Sequence, residues 1–197
     1  MRVIAGVCKG RVLKAPAWEG LRPTSDRLRE TLFNVLAPRV PGARVLELFA
    51  GTGAVGIEAL SRGAAHVTFV DADRRAEALI AENLARCGIS GGYAIIRASA
   101  SRAAERLRQG PPFVPFDIIL LDPPYDHLKP RRPAGEDHEL HAVISAARER
   151  LAPGGVLVLE HARRRPPPEG GGLVRVRTLE AGDSALSFYE VSSANAF

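Results

Sequence analysis

The sequence predicts a doubly wound α/β fold: a mostly parallel, seven-stranded sheet with a hairpin before it and an antiparallel hairpin closing it. Three observations carry that expectation. From residue 43 onward, short apolar runs alternate with amphipathic stretches, the pattern of a parallel sheet covered by helices on both faces. A glycine-rich turn, ELFAGTGAVG at residues 47 to 56, sits where the first apolar run passes into its helix. The final pair of runs, LVRVRTLE and SALSFYEV, alternates by twos around Ala181-Gly182-Asp183, which reads as a hairpin.

The elements follow in order. RVIAGV and RVLKA flank a Lys9-Gly10 turn and read as two short strands of a basic hairpin. A helix follows, opened by Pro23 and Thr24. Leu28, Leu32, Val35 and Leu36 mark its buried face until Pro38 and Pro41 end it. ARVLELF is the first core strand, and AVGIEALSR is a helix stopped by Gly63. HVTFVD is a strand, RRAEALIAENLARC a helix stopped by Gly88, and YAIIR a third strand. SRAAERLRQ, FDIILLD, HELHAVISAARERL and GVLVLE continue the alternation, and RRRPPPEGGG is a turn-rich connector. The expected organisation is a basic hairpin extension over residues 1–20 and one domain over residues 21–197.

At 197 residues a chain of this kind buries roughly 70% of its unfolded surface without staples. Cys8 and Cys87 form no motif, no run reaches membrane-spanning length, and MRVIAGVCKG lacks a signal peptide's apolar core. A reduced, cytoplasmic protein with no membrane partner is expected. Lys plus Arg number 27 against 22 acids, for a net charge of +5. That balance suits either a nucleic-acid partner or an ordinary solvated surface. Its distribution says more. Arg2, Lys9, Arg11, Lys14, Arg22, Arg27 and Arg29 crowd the first thirty residues, opposed by Glu19, Asp26 and Glu30.

Gly51, Gly53 and Gly56 match G-x-G-x-x-G, and Asp71 ends the next strand 20 residues after Gly51. That is a nucleotide-type loop with an acid for ribose hydroxyls. Glu47 separates the cofactor classes. Beside a helix N-terminus it would repel a pyrophosphate, but it suits S-adenosylmethionine, which brings an ammonium and a sulfonium. The plainer alternatives are that Glu47 faces solvent and that Asp71 caps the following helix.

Asp122-Pro123-Pro124-Tyr125 follows the apolar strand FDIILL. Consecutive prolines fix φ and remove two donors, so a carboxylate, a carbonyl and a ring project from one rigid turn. The exocyclic nitrogen of a base is a poor nucleophile because its lone pair is delocalised into the ring. Hydrogen bonds to the Asp122 carboxylate and the Pro123 carbonyl localise that pair, and Tyr125 can stack on a base unstacked from its helix. The alternative is a proline-rich turn with a packing tyrosine.

These residues resemble a class I S-adenosylmethionine-dependent methyltransferase, a Rossmann-like fold, with ELFAGTG as cofactor loop and DPPY as amino-methyltransferase motif. The chain is similar, more closely, to the bacterial 16S rRNA guanine-N2 methyltransferase family of the RsmD type. RVIAGVCKGRVLKAP, LRPTSDRLRETLFNVL, ALSRGAAHVTFVD, ENLARCGI and GDSALSFYEV carry that likeness over nearly the whole chain. The resemblance implies S-adenosyl-L-methionine held by Glu47, Gly51, Gly53, Asp71 and Ala72, with Asp122 beside it. Asp122, Pro123 and Tyr125 would face the guanine. Where many relatives have an Asp for the adenine amino group, this chain has Ser99 and Ala100, so a hydroxyl or an amide would take that role. Ribosomal RNA, within a small-subunit particle, is the implied partner, with Arg2, Lys9, Arg11, Arg22 and Arg27 as candidate contacts.

His138 and His141 stand at helical spacing without a third ligand, so no metal site is expected. The loop DHLKPRRPAGEDHEL, with His127, Lys129, Arg131 and Arg132, suits an exposed loop or an RNA contact. Three other activities compete. DPPY also serves other sp² amines (DNA adenine-N6, cytosine-N4, a glutamine amide), but 197 residues leave no room for a separate DNA-recognition domain. An NAD-dependent oxidoreductase is disfavoured by Glu47. A non-catalytic RNA-binding assembly factor would be expected to have lost the glycine loop or DPPY, and neither is degraded.

Overall fold

Hydrophobic alternation along the strands divides the protein into two cores, one on each face of its sheet. The computed structural model describes residues 1–16, 18, 25–109, 114–123, 136–164 and 172–192. Its helices are α1 (Asp26–Leu36), α2 (Ala54–Ser61), α3 (Arg74–Arg86), α4 (Ala100–Gln109) and α5 (Glu136–Arg148), with a 3-10 turn at Ala37–Arg39. The strands are β1 (Arg44–Leu48), β2 (His66–Asp71), β3 (Tyr93–Arg97), β4 (Phe116–Leu121), β5 (Leu151–Ala162), β6 (Leu173–Ala181) and β7 (Ser184–Val191). They form one seven-stranded sheet in the order β3-β2-β1-β4-β5-β7-β6. The first five strands pair in parallel, and β7 runs antiparallel to both β5 and β6. The doubly wound sheet and its closing hairpin are therefore as the sequence predicts.

Successive residues of a strand face opposite sides, and the burial follows that rule. Val45, Val67, Phe69, Ile118 and Val156 pack with Leu32 and Phe33 of α1, Ile57 of α2 and Ile80 and Leu84 of α3. Leu46, Leu48, Val70, Ile119 and Leu157 pack with Ala103 of α4 and Val143, Ile144 and Ala147 of α5. Among the described residues, no helix is long and apolar enough to cross a membrane.

Several boundaries differ from the sequence reading: α5 ends at Arg148 and Leu151, read as its last residue, instead opens β5, where it pairs with Phe116, and both ends of α1 differ. α1 starts at Asp26, capped by Ser25, whose hydroxyl accepts the Leu28 N–H at 3.1 Å. A serine oxygen can take an orphan helical N–H, whereas Pro23 and Thr24 lie outside the described residues. Pro38 does not stop the chain's winding at once; it sits inside the 3-10 turn.

The N-terminal segment pairs as a hairpin through a single bridge, Arg2 with Val12, and through bonds from Val3 N–H to Arg11 O (2.9 Å) and from Gly10 N–H to Val3 O (2.9 Å). It is seated on the domain. Val3, Cys8 and Leu13 are buried in the first core. Glu58 of α2, itself fully buried, accepts the Ile4 and Ala5 N–H groups at 2.7 and 2.9 Å. Ser61 accepts the Cys8 N–H at 2.9 Å. Gly6 makes this fit possible, since a Cβ there would lie 1.8 Å from the Ser61 carbonyl oxygen. Cys8 Sγ lies 3.5 Å from the Cys87 carbonyl, and burial pushes the Cys87 thiol up to about 11, so Cys87 is not a ready thiolate.

Candidate active site

β1 ends between β2 and β4, with Leu48 in register with Val70 on one side and Leu121 on the other. The residues that follow these positions are Phe49, Asp71 and Asp122. Two carboxylates therefore flank the turn after β1, at the carboxyl ends of the strands where open α/β sheets bind ligands. The turn itself uses left-handed backbone at Phe49 (φ 63°), Gly51 (φ 53°) and Gly53 (φ 72°). Gly53 serves as N-cap of α2 without a side-chain bond of its own; the orphan amides of the first turn are met instead by the Thr52 hydroxyl, which accepts the Ala54 N–H at 3.3 Å, and by Glu47.

Asp71 ties this turn to β2. Its Oδ2 accepts the Gly51 N–H at 2.8 Å and its Oδ1 accepts the Asp73 N–H at 2.9 Å. The capping of α3 falls to Asp73, which accepts the Arg75 N–H at 2.8 Å, so Asp71 is not that helix's cap. Each Asp71 oxygen retains a lone pair for a further donor. Ala72, beside it, is exposed.

Glu47 does not face solvent. It is 4% exposed and its Oε2 accepts the Gly56 N–H at 3.0 Å. Burial raises its carboxyl to about 8; the Gly56 bond opposes that, the charges of Asp122 and Asp71 add to it, and Arg29 opposes it weakly. The third glycine of the motif packs against this acid. A Cβ on Gly56 would meet Phe69 Cε1 at 2.3 Å and Glu47 Oε2 at 2.6 Å.

Asp122 is half-buried and its N–H lies 3.5 Å from the Leu48 carbonyl, while Pro123 is buried. Pro124, Tyr125 and Arg22 lie outside the described residues, as does the loop from 126 to 135. Ser99 is partly exposed. Its hydroxyl accepts the Arg102 N–H at 3.3 Å and lies 3.1 Å from the Ser101 hydroxyl, so it caps the start of α4, and Ala100 is buried there. Arg2, Lys9 and Arg11 on the hairpin and Arg27 on α1 are all exposed.

Three carboxylates near one glycine turn suit a cationic ligand. These acids fit S-adenosylmethionine, and Glu47, Asp71 and the backbone of the glycine turn are the groups that would hold it. Among the described residues, no group of His, Cys, Asp and Glu is arranged to hold a metal ion.

Sequence reasoning missed the buried polar groups that seat the hairpin. Arg29 is fully buried, 3.8 Å from Glu58, 2.9 Å from Asp26, and bonded to the Arg2 carbonyl. Its place one turn before Phe33, on the apolar side of α1, was the available signal. Glu58 stands alone in the small, apolar helix AVGIEALS, and a lone acid there needs a buried partner. Asn83, fully buried on α3, carried no such mark.

Residues 1–190 match the family described as Conserved hypothetical protein 95. YlbH of Bacillus subtilis is 38% identical over 196 residues, 96% of this chain and 98% of that protein. Ribosomal RNA small subunit methyltransferase D of Escherichia coli K12 is 45% identical over 125 residues, which span 64% of this chain and 60% of that protein. The structure of yhhF from Escherichia coli superposes with a TM-score of 0.79 at 33% identity, covering 98% of both chains. The chain belongs to the Conserved hypothetical protein 95 family and is an RsmD-type, S-adenosylmethionine-dependent methyltransferase.

Proposed function

We propose that this enzyme methylates the exocyclic N2 amine of a guanine in small-subunit (16S) ribosomal RNA, in the cytoplasm, on a small-subunit particle. The name of the Escherichia coli relative supports the ribosomal RNA substrate. The observation that carries the reading at the site is the pair Asp71 and Asp122 on strand ends either side of the glycine turn, with Pro123 following Asp122.

The bound cofactor would supply an electrophilic methyl group. Glu47 and Asp71 are proposed to bind its cationic and ribose ends, with the Gly51 and Gly53 backbone and Ala72 beside them, and Ser99 or the Ala100 amide at the adenine. The Asp122 carboxylate and the Pro123 carbonyl accept the two N–H bonds of the guanine amine, keep its lone pair on nitrogen, and aim it. As positive charge develops on that nitrogen, the carboxylate stabilises it electrostatically. Tyr125 would stack on the base. Arg2, Lys9, Arg11, Arg22 and Arg27 are proposed to contact phosphates. In this reading residues 1–20 form the RNA-binding hairpin and 21–197 the catalytic domain.

The test is incubation with tritium-labelled cofactor and small-subunit particles from a strain lacking the enzyme, followed by mapping of the label. Label on one guanine N2 is expected. Label on an adenine, a cytosine or a protein would overturn the substrate assignment.

A further inference from the structure

The hairpin and the glycine turn share one buried side chain. Asn83 Nδ2 donates to the Thr52 carbonyl at 3.0 Å and to the Lys14 carbonyl at 3.2 Å, and its Oδ1 accepts the Lys14 N–H at 2.7 Å. Thr52 lies between Gly51 and Gly53. Lys14 follows the second arm of the hairpin, whose Leu13 N–H bonds the Met1 carbonyl at 3.2 Å. Met1 closes the circuit, since the Thr52 hydroxyl donates to its sulfur at 3.8 Å.

The chemistry of the turn makes this contact consequential. A Gly-Thr-Gly segment has few steric barriers to rotating its central peptide. Asp71 holds the Gly51 N–H and the Ala50 carbonyl holds the Gly53 N–H at 2.7 Å, while Asn83 holds the Thr52 carbonyl. An amide is the side chain for the task because it donates to two carbonyls and accepts one N–H at once.

We propose that Asn83 is a positioning residue for the cofactor turn and makes cofactor affinity depend on how the N-terminal hairpin is seated. The inference rests on the reading that the glycine turn holds S-adenosylmethionine. Coupling of binding is reciprocal, so the cofactor in turn tightens the hairpin. An RNA that engages the hairpin would then shift cofactor affinity without touching the cofactor.

Two measurements test this. The first uses the unaltered protein, with calorimetry of S-adenosylmethionine binding and amide exchange at Lys14 with and without saturating cofactor. Exchange at Lys14 should slow by about tenfold or more. Unchanged exchange with cofactor bound overturns the inference alone; absence of cofactor binding overturns the reading of the glycine turn as well. The second uses Asn83→Asp, which keeps the acceptor for Lys14 and sets an oxygen against two carbonyls. Its Kd for S-adenosylmethionine should rise by about tenfold, while the single-turnover methylation rate on unmodified small-subunit particles at saturating cofactor stays within about twofold of the parent. A variant with lowered thermal stability but parental Kd would show that Asn83 only fills the core.

Discussion

A Cβ on Gly56 would stand 2.6 Å from Oε2 of Glu47, the same oxygen that takes the Gly56 N–H at 3.0 Å. The first turn of α2 can therefore press against the acid only through bare backbone. The helix N-terminus favours the carboxylate, yet burial dominates and holds its proton on.

Gly56→Ala should destabilise the protein by about 1–3 kcal/mol, the range for overpacking a filled core. The methyl must displace the Phe69 ring as well as Glu47. Urea denaturation measures it, with cofactor affinity followed in parallel; parental values in both would mean that α2 slides away without cost.

Glu47 makes stability and cofactor binding depend on pH in opposite directions. Its folded pKa, about 8, lies above the ordinary carboxylate value of 4.5. The folded state therefore holds a proton that the unfolded chain releases, and stability falls as pH rises from about 4.5 to about 8. A cationic ligand reverses the preference, with Asp71 and Asp122 opposing the loss of the proton and Arg29 aiding it. Cofactor affinity should rise by up to about tenfold per pH unit below pH 7 and level off above the Glu47 pKa, with a proton released on binding. Glu47→Gln should abolish the proton release and flatten both profiles. Calorimetry in buffers of different ionisation enthalpy reads the proton, and no release near neutral pH would mean that Glu47 is already ionised.

Asp122→Asn keeps the size and one acceptor oxygen but removes the charge. Single-turnover methylation at saturating cofactor should fall by about 10²–10³. Tyr125→Phe should stay within about tenfold, and Tyr125→Ala should fall further by the roughly 1–3 kcal/mol of a lost base-stacking platform. A parental rate for Asp122→Asn would leave the carboxylate as a structural group only.

Replacing Arg2, Lys9 and Arg11 together by Ala should weaken RNA binding and flatten its dependence on salt, because each phosphate contact releases counterions. All three side chains are exposed, so the melting temperature should hold. Filter binding across a salt series decides the matter, and an unchanged slope removes the hairpin from the RNA footprint.

The sheet, its order of helices and the closing hairpin were legible because periodicity is a local property. Val45, Glu47 and Leu46, Leu48 alternate between two faces whatever the partner across the gap. The candidate site was legible for the same reason, since the glycine turn, Asp71 and Asp122 each stand at the end of an apolar run. The seating of the hairpin was not. Glu58, Ser61 and Asn83 receive backbone groups from residues 53 to 69 positions away, and nothing in a local window announces such a bond. Glu47 likewise looked exposable until α2 closed over it.

The strand order has a consequence for how the molecule is made. Among the described residues, β6 pairs with the sheet only through β7, which inserts between β6 and β5. As the chain emerges, residues 173–181 find no place on the growing sheet, and the outer rim of β5 stays bare until residues 184–191 follow. A nascent chain halted between those two strands displays an open rim and an unattached strand together, the state most prone to pair with a stranger. Completion of the sheet thus waits for β7, so slow translation between β6 and β7 would prolong that exposed state.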